Sequence, residues 1–202
     1  LDSEMLQYFL FASLVRSAPA GLPSNLPPEF RETALKAMML GEKILKDISA
    51  AHAAAVKVKT DFSLDSSTSN LQSMAVMMEI PLSPVIQAVS PEFPLTLVSH
   101  MLAGVQMYQN LLEVLSSKVS GLDDLRADLR DLLNHINKLK EVAQLTVEVS
   151  DQNPSTNLAS HLQNSHNVPV AFRLTFTRLR SFCHDLNRTF KHLSKLLAAG
   201  AR

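Results

Sequence analysis

Four stretches of the chain carry apolar residues at helical spacing, with polar residues between them. The repeat is most regular in the third and fourth stretches, where apolar positions alternate in steps of three and four. This period places the apolar side chains on one face of an α-helix. We therefore predict four long amphipathic helices: A at about 28–55, B at about 94–119, C at about 122–149 and D at about 169–198.

The predicted buried stripe of each helix follows from its repeat. In helices A and B it contains Phe30, Ala34, Met38, Leu45, Ile48, Ala55, Leu95, Val98, Leu102, Val105, Leu112, Leu115 and Val119. In helices C and D it contains Leu122, Leu125, Leu129, Leu132, Ile136, Leu139, Ala143, Thr146, Phe172, Phe176, Leu179, Cys183, Leu186, Phe190, Leu193 and Leu197. Cys183 thus has a core position, where we expect an inert thiol.

The connections between the helices differ in length. A polar stretch over 57–70, an apolar segment over 71–78 that predicts a short packed helix, and four prolines between 81 and 94 separate helices A and B. Ser120 and Gly121 form a tight connection, and the polar residues 155–167 form a second long loop. Because parallel neighbours need a long crossover, this order predicts an up-up-down-down bundle.

The fold class we predict is therefore all-α, a long-chain four-helix bundle with two long crossover loops. This topology is typical of growth hormones and cytokines, which bind receptors through their outer helix faces. A balanced charge, with 19 basic and 19 acidic residues, provides no net field to attract nucleic acid. The single cysteine excludes an intramolecular disulfide.

The first twenty residues resemble the end of a signal peptide. Met5–Val15 is a short apolar run, and small residues follow it at the places where signal peptidase would cut, after Ser17 or Ala20. The alternative is an amphipathic N-terminal arm. We expect residues 1–20 to be a signal remnant, residues 21–202 to be the cytokine-like domain, and the protein to be secreted and extracellular without membrane insertion.

Motifs for catalysis or for a metal centre are absent from the sequence. It contains no Glu-x-x-His pair on two helices, no phosphate-binding glycine loop and no Gly-x-Ser-x-Gly elbow. We therefore predict a protein that is not an enzyme, with no cofactor and no metal. Asn187-Arg188-Thr189 is a candidate N-glycosylation sequon.

Asp128 and Asp131 lie one turn apart on the predicted outer face of helix C. They have two interpretations. In the first they are ordinary solvated carboxylates on a soluble helix surface. In the second they are two fixed anions, placed on a rigid helix, that bind arginines of a partner.

The segment Gly104-Val-Gln-Met-Tyr108-Gln-Asn-Leu-Leu112 resembles the helix B signature of the family of interleukin-6, granulocyte colony-stimulating factor and myelomonocytic growth factor. Val105 replaces the usual leucine, and the two upstream cysteines of the signature are absent, with Leu97 at one of their places. Further blocks between about 24 and 197 resemble the granulocyte colony-stimulating factor branch. They are Leu26-Pro27 with Phe30, Glu42-Lys43-Ile44, Ile80-Pro81 with Pro84, Leu125 with Asp128 and Asp131, and Ser181–Leu193.

The resemblance implies a haematopoietic cytokine that is monomeric before it binds and dimerises a class I cytokine receptor. Signalling would then pass through Janus kinases and STAT proteins and promote granulocyte production. The family's major receptor site lies on helices A and C, which implies roles for Asp128 and Asp131 and makes the helix A surface residues Glu42, Lys43 and Lys46 candidates. The second site implies Phe176, while its acidic crossover residue is Asn70 here.

Two alternatives remain open at this point. One is another interleukin-6-type cytokine that acts through a different receptor. The other is a lipid-binding or scaffold bundle without a receptor, which exposed apolar stripes would favour.

Overall fold

The computed structural model describes residues 27–58, 68–86, 95–145 and 157–199. These residues form six helices and no strand, so the described part of the chain is all-helical. The helices are α1 Pro28–Val58, α2 Thr68–Met77, α3 Leu95–Ser116, α4 Asp123–Val142, α5 Leu158–His161 and α6 Asn167–Ala199. The predicted signal remnant at 1–20 lies outside the described residues.

The four long helices α1, α3, α4 and α6 pack around a common core. Helix α1 contacts α4 and α6, and α3 contacts the same two helices. Near its start α1 meets the C-terminal half of α4 through Glu29 and Lys138, whereas Lys43, further along α1, meets the earlier Asp128. Helices α1 and α4 therefore run antiparallel.

Two further pairs of helices have defined directions. Gly41 of α1 faces Asn187 of α6, while His52, later in α1, stacks on Phe172, earlier in α6. Helices α1 and α6 are thus antiparallel. The short connection 117–122 makes α3 and α4 antiparallel as well.

The predicted stripes form the core. Every predicted stripe position of helices C and D whose side chain the structure describes is buried. In α1 the buried face is rotated slightly: Ala37 and Ile44 are fully buried, whereas Met38 and Leu45 are only partly buried. The rotation follows from two neighbours, since α1 must present one face to α4 and another to α6.

The end of helix C differs from the prediction of about 149. Helix α4 ends at Val142, where Gln144 adopts a left-handed backbone with φ of 54°. The backbone N–H of Leu145 then donates to the carbonyl of Lys140 at 2.9 Å, which closes the helix with a Schellman-type turn. Residues 146–149 lie outside the described part.

The two crossovers contain short helices. The predicted short helix in the first one is present as α2, which packs on α6 and buries Ala75 and Met78. In the second, the polar stretch predicted as loop contains α5. The prediction missed α5 because only two apolar residues, Leu158 and Leu162, anchor it against α3.

The seam between α3 and α6 explains the residues of the helix B signature. A Cβ on Gly104 would lie only 2.3 Å from Cζ of Phe182, so glycine is needed for the Phe182 ring to pack there. The ring of Tyr108 packs against Phe182 with centroids 5.3 Å apart, and its hydroxyl hydrogen-bonds Ser83 of the first crossover. Burial raises the pKa of Tyr108. Gly104 and Tyr108 thus both serve the packing of Phe182.

Candidate functional site

The candidate site is a surface formed by neighbouring turns of α1 and α4, which we call the α1/α4 face. Its members are Glu42, Lys43 and Lys46 on α1 and Asp128 and Asp131 on α4. All three α1 side chains are exposed because the buried positions Gly41, Ile44 and Ile48 point in the other direction. Asp131 is exposed as well. The packing of α1 on α4 brings one residue of each predicted set into contact, Lys43 with Asp128.

Lys43 connects the two helices. Its Nζ donates to a carboxylate oxygen of Asp47, one turn along α1, at 3.1 Å and also to Oδ2 of Asp128 across the seam. These two bonds raise the pKa of Lys43, so the ammonium is held in its charged form. The Lys43 side chain stays 55% exposed, so this cation remains accessible at the surface.

The predicted position of Asp128 on helix C was wrong. Asp128 was expected on the solvated outer face, but the residue is only 8% exposed and its carboxylate faces Lys43. Burial raises the pKa of the Asp128 carboxyl, the bond from Lys43 partly offsets this, and the nearby Asp47 adds to the rise. Asp128 is therefore the buried member of the α1/α4 face and binds Lys43. Asp131, the second predicted aspartate, is exposed.

A second ion pair crosses the same seam. Nζ of Lys138 on α4 lies 2.8 Å from Oε1 of Glu29 on α1. The hydrogen bond to Glu29 raises the pKa of Lys138. No sequence pattern predicts this pair, because its members are far apart along the chain. The Lys43–Asp47 pair, by contrast, has the i, i+4 spacing of helical ion pairs and was recognisable.

Met39 adds an apolar element to this part of α1. It is 66% exposed and lies one turn before Lys43. An exposed methionine among charged residues is a typical contact residue, since its flexible side chain adapts to a partner surface. Sequence reasoning missed Met39 because it falls between the predicted core positions of helix A.

Phe176 is not part of the exposed surface. It lies in α6 with only 2% of its surface exposed, and its ring stacks on Phe172 with centroids 4.1 Å apart. Its predicted role as a receptor contact is therefore wrong for this packing, because the ring is covered by its neighbours. The stripe position of Phe176 already indicated a core residue.

Asn187 is an unfavourable site for a glycan. Its side chain packs against α1 so closely that a Cβ on Gly41 would lie 2.0 Å from Oδ1. Oδ1 itself is buried and has no hydrogen-bond partner in the described part of the chain, and Thr189 of the sequon is 2% exposed. A glycan on Asn187 would have to separate α1 from α6, so the predicted glycosylation conflicts with the fold.

Cys183 is buried in α6 as a free cysteine, as predicted. Burial raises the pKa of its thiol to about 12. Since the thiolate is the reactive form, the folded protein keeps this cysteine unreactive.

Searches for other kinds of site give negative findings within the described ranges. Among these residues, no three or more His, Cys, Asp and Glu side chains are grouped so that they could hold a metal ion. None of the helices that the structure describes is long and apolar enough to cross a membrane. Comparison with protein-family models and with curated proteins finds no match for this chain.

Proposed function

We propose that this chain is a long-chain helical cytokine that uses the α1/α4 face to bind a class I cytokine receptor. Within that class we assign it to the interleukin-6, granulocyte colony-stimulating factor and myelomonocytic growth factor family, nearest to granulocyte colony-stimulating factor. As a secreted monomer it would dimerise its receptor, activate Janus kinases and STAT proteins, and promote proliferation and differentiation of granulocytes.

The directions of the four long helices carry this proposal. Because α4 is antiparallel to both α1 and α3, these two helices run the same way, and α6 runs with α4. Long connections, 59–94 and 143–166, join the parallel pairs, whereas the short connection 117–122 joins the antiparallel pair. An up-up-down-down bundle with this loop order is the arrangement of growth hormones and cytokines.

The α3 signature supports the assignment to the family. Gly104 and Tyr108 are the two residues that make room for Phe182 and pack against it. They are also the glycine and the aromatic residue of the signature that this segment resembles. The resemblance therefore rests on residues that also have a defined packing role in this fold. A chance match of the sequence would not need its residues to have such a role.

The chemistry of the α1/α4 face suits receptor binding. Lys43 and Lys46 supply cations, Glu42 and Asp131 supply anions, and Met39 supplies an exposed apolar contact. Mixed charges set the orientation of a complex, while a few apolar anchors supply most of its affinity. Asp128 contributes indirectly, because it fixes the position of the Lys43 ammonium.

Direct binding tests this proposal. The purified chain is passed over the immobilised ectodomain of a granulocyte colony-stimulating factor receptor and, in parallel, over a shared receptor subunit of interleukin-6-type cytokines. Selective binding to the first supports the assignment. Binding only to the second would move the chain to another interleukin-6-type cytokine, and binding to neither would contradict the receptor role.

One observation favours a second candidate, a lipid-binding or scaffold bundle. Val76 and Met77 of α2 and Leu82 and Val85 of the following segment are all more than half exposed. Exposed apolar side chains near one another in sequence are found at lipid or protein contacts. Co-sedimentation with vesicles of neutral and anionic phospholipid, without any receptor binding, would support this candidate.

A further inference from the structure

A small pocket lies between the C-terminal half of α1 and the N-terminal half of α6, apart from the α1/α4 face. Its volume is about 290 Å³. Ile48, Ser49 and His52 line it from α1, and Arg173, Phe176 and Arg180 are among the residues that line it from α6. The pocket thus combines apolar walls with two guanidinium groups.

The electrostatics of the pocket are unbalanced. Nη1 of Arg173 is buried and has no hydrogen-bond partner among the residues that the structure describes. Among the described residues, no acidic side chain lines the pocket and none forms an ion pair with Arg173 or Arg180. A buried cationic donor without a partner is costly, and arginine binds oxyanions through its planar set of donors. The unpaired donor of Arg173 makes an oxyanion the ligand that suits this pocket best.

The remaining walls define what can accompany the anion. Phe176 is stacked on Phe172, whose ring in turn faces His52 with centroids 6.1 Å apart. Ile48 and Phe176 give the pocket its apolar side, and Phe172 lies behind Phe176. A volume near the lower end of the range for ligand sites admits one small group and excludes a lipid chain of full length.

We infer that this pocket between α1 and α6 binds a small oxyanion, a carboxylate or a phosphate, with Arg173 as its main ligand and Arg180 as a second donor at the pocket edge. The hydroxyl of Ser49 donates to the carbonyl of Leu45 at 3.1 Å, so the two arginines are the donors of the proposed site. This inference does not depend on receptor binding, because it concerns the opposite seam of α1.

The test uses three probes with the full chain at constant ionic strength: benzoate, its neutral analogue benzamide, and inorganic phosphate. Binding is followed through ¹H–¹⁵N chemical shifts. We expect benzoate to shift the amide signals of Ile48–His52 and of Arg173–Arg180, and benzamide to leave them unchanged. Stronger binding of benzoate than of phosphate would mean that the preferred ligand of the pocket is a carboxylate joined to an apolar group. Stronger binding of phosphate would mean that the preferred ligand is a free oxyanion.

Arg173→Gln should weaken the Kd of the better anion by at least about tenfold, as loss of a charged hydrogen bond does. Arg180→Gln is the second variant, to be used if Arg173→Gln does not fold, because Arg180 is exposed. We expect it to weaken anion binding less than Arg173→Gln does. Arg130→Gln, the same change on the exposed surface of α4, is the matched control and should leave Kd unchanged. Equal shifts with benzamide and benzoate, no shifts with either anion, or equal Kd values in all three variants would overturn the inference.

Discussion

Helix α1 has two neighbours, and its seams with them differ in chemistry. Toward α4 it forms the ion pairs Lys43–Asp128 and Glu29–Lys138, whose basic members are more than half exposed. Toward α6 it makes a close helix contact where Gly41 meets Asn187, and His52 stacks on Phe172. Exposed ion pairs stabilise a fold weakly, whereas dense apolar packing stabilises it strongly. We therefore expect the packing against α6 to contribute more to stability than the ion pairs on the α4 side, whose lysines stay more than half exposed.

The largest expected effect is the loss of apolar packing in α6. Leu186→Ala should lower the free energy of unfolding by about 2–5 kcal/mol, because Leu186 is fully buried and its removal leaves a cavity. Urea denaturation followed by circular dichroism measures this. Met39→Ala, which removes a similar apolar side chain at a 66% exposed position, is the control and should change stability little. Equal losses in both variants would show that Leu186 does not pack in the core.

The next effect tests the close approach of α1 to α6. Gly41→Ala should destabilise the protein by about 1–3 kcal/mol, since the new Cβ would overlap Oδ1 of Asn187. Asn187→Ala alone should cost little, because Oδ1 has no hydrogen-bond partner to lose. In the double variant the overlap disappears and alanine is the better helix former, so stability should recover. A double variant as unstable as Gly41→Ala would show that the two residues do not touch.

The free energy of unfolding should depend on pH through Cys183, which is buried in α6. Cys183 has a folded-state pKa of about 12 against an ordinary value of 9.0, so the unfolded chain loses this proton first. Stability should therefore fall as pH rises above about 9, with a slope of at most about 1.4 kcal/mol per pH unit from this group. Cys183→Ala should make the slope shallower between pH 9 and 11, measured by urea denaturation at each pH. An unchanged slope would exclude Cys183 as a cause.

The smallest effect is expected at the seam with α4. Lys43→Gln should destabilise the protein slightly, because Asp128 loses its cation, and by less than Gly41→Ala does. Lys46→Gln is the control, because Lys46 is exposed on the same helix. In the described structure this change leaves no carboxylate without its cation. Asp128→Asn combined with Lys43→Gln should show coupling in a double-mutant cycle. Additive losses would contradict the pairing.

The sequence predicted the helices and their buried faces, because three- and four-residue periodicity reports directly which side of a helix is apolar. It failed at Asp128, since a carboxylate at the edge of an apolar stripe can be solvated or covered, depending on which helix lies beside it. It also failed at Asn187, where the decisive feature is Gly41 of another helix. The ion pair of Glu29 with Lys138 likewise depends on tertiary packing alone.

One measurement tests the central claim that the exposed charges of the α1/α4 face bind a class I cytokine receptor. The Kd for the granulocyte colony-stimulating factor receptor ectodomain is compared between the unaltered chain and a variant with Glu42→Ala, Lys46→Ala and Asp131→Ala. A control variant with the same change in charge carries Glu79→Ala, Lys191→Ala and Asp123→Ala, all at exposed positions elsewhere. We predict at least about tenfold weaker binding for the first variant, unchanged binding for the control and similar Tm values for both. Equal Kd values for both variants and the unaltered chain would contradict the account.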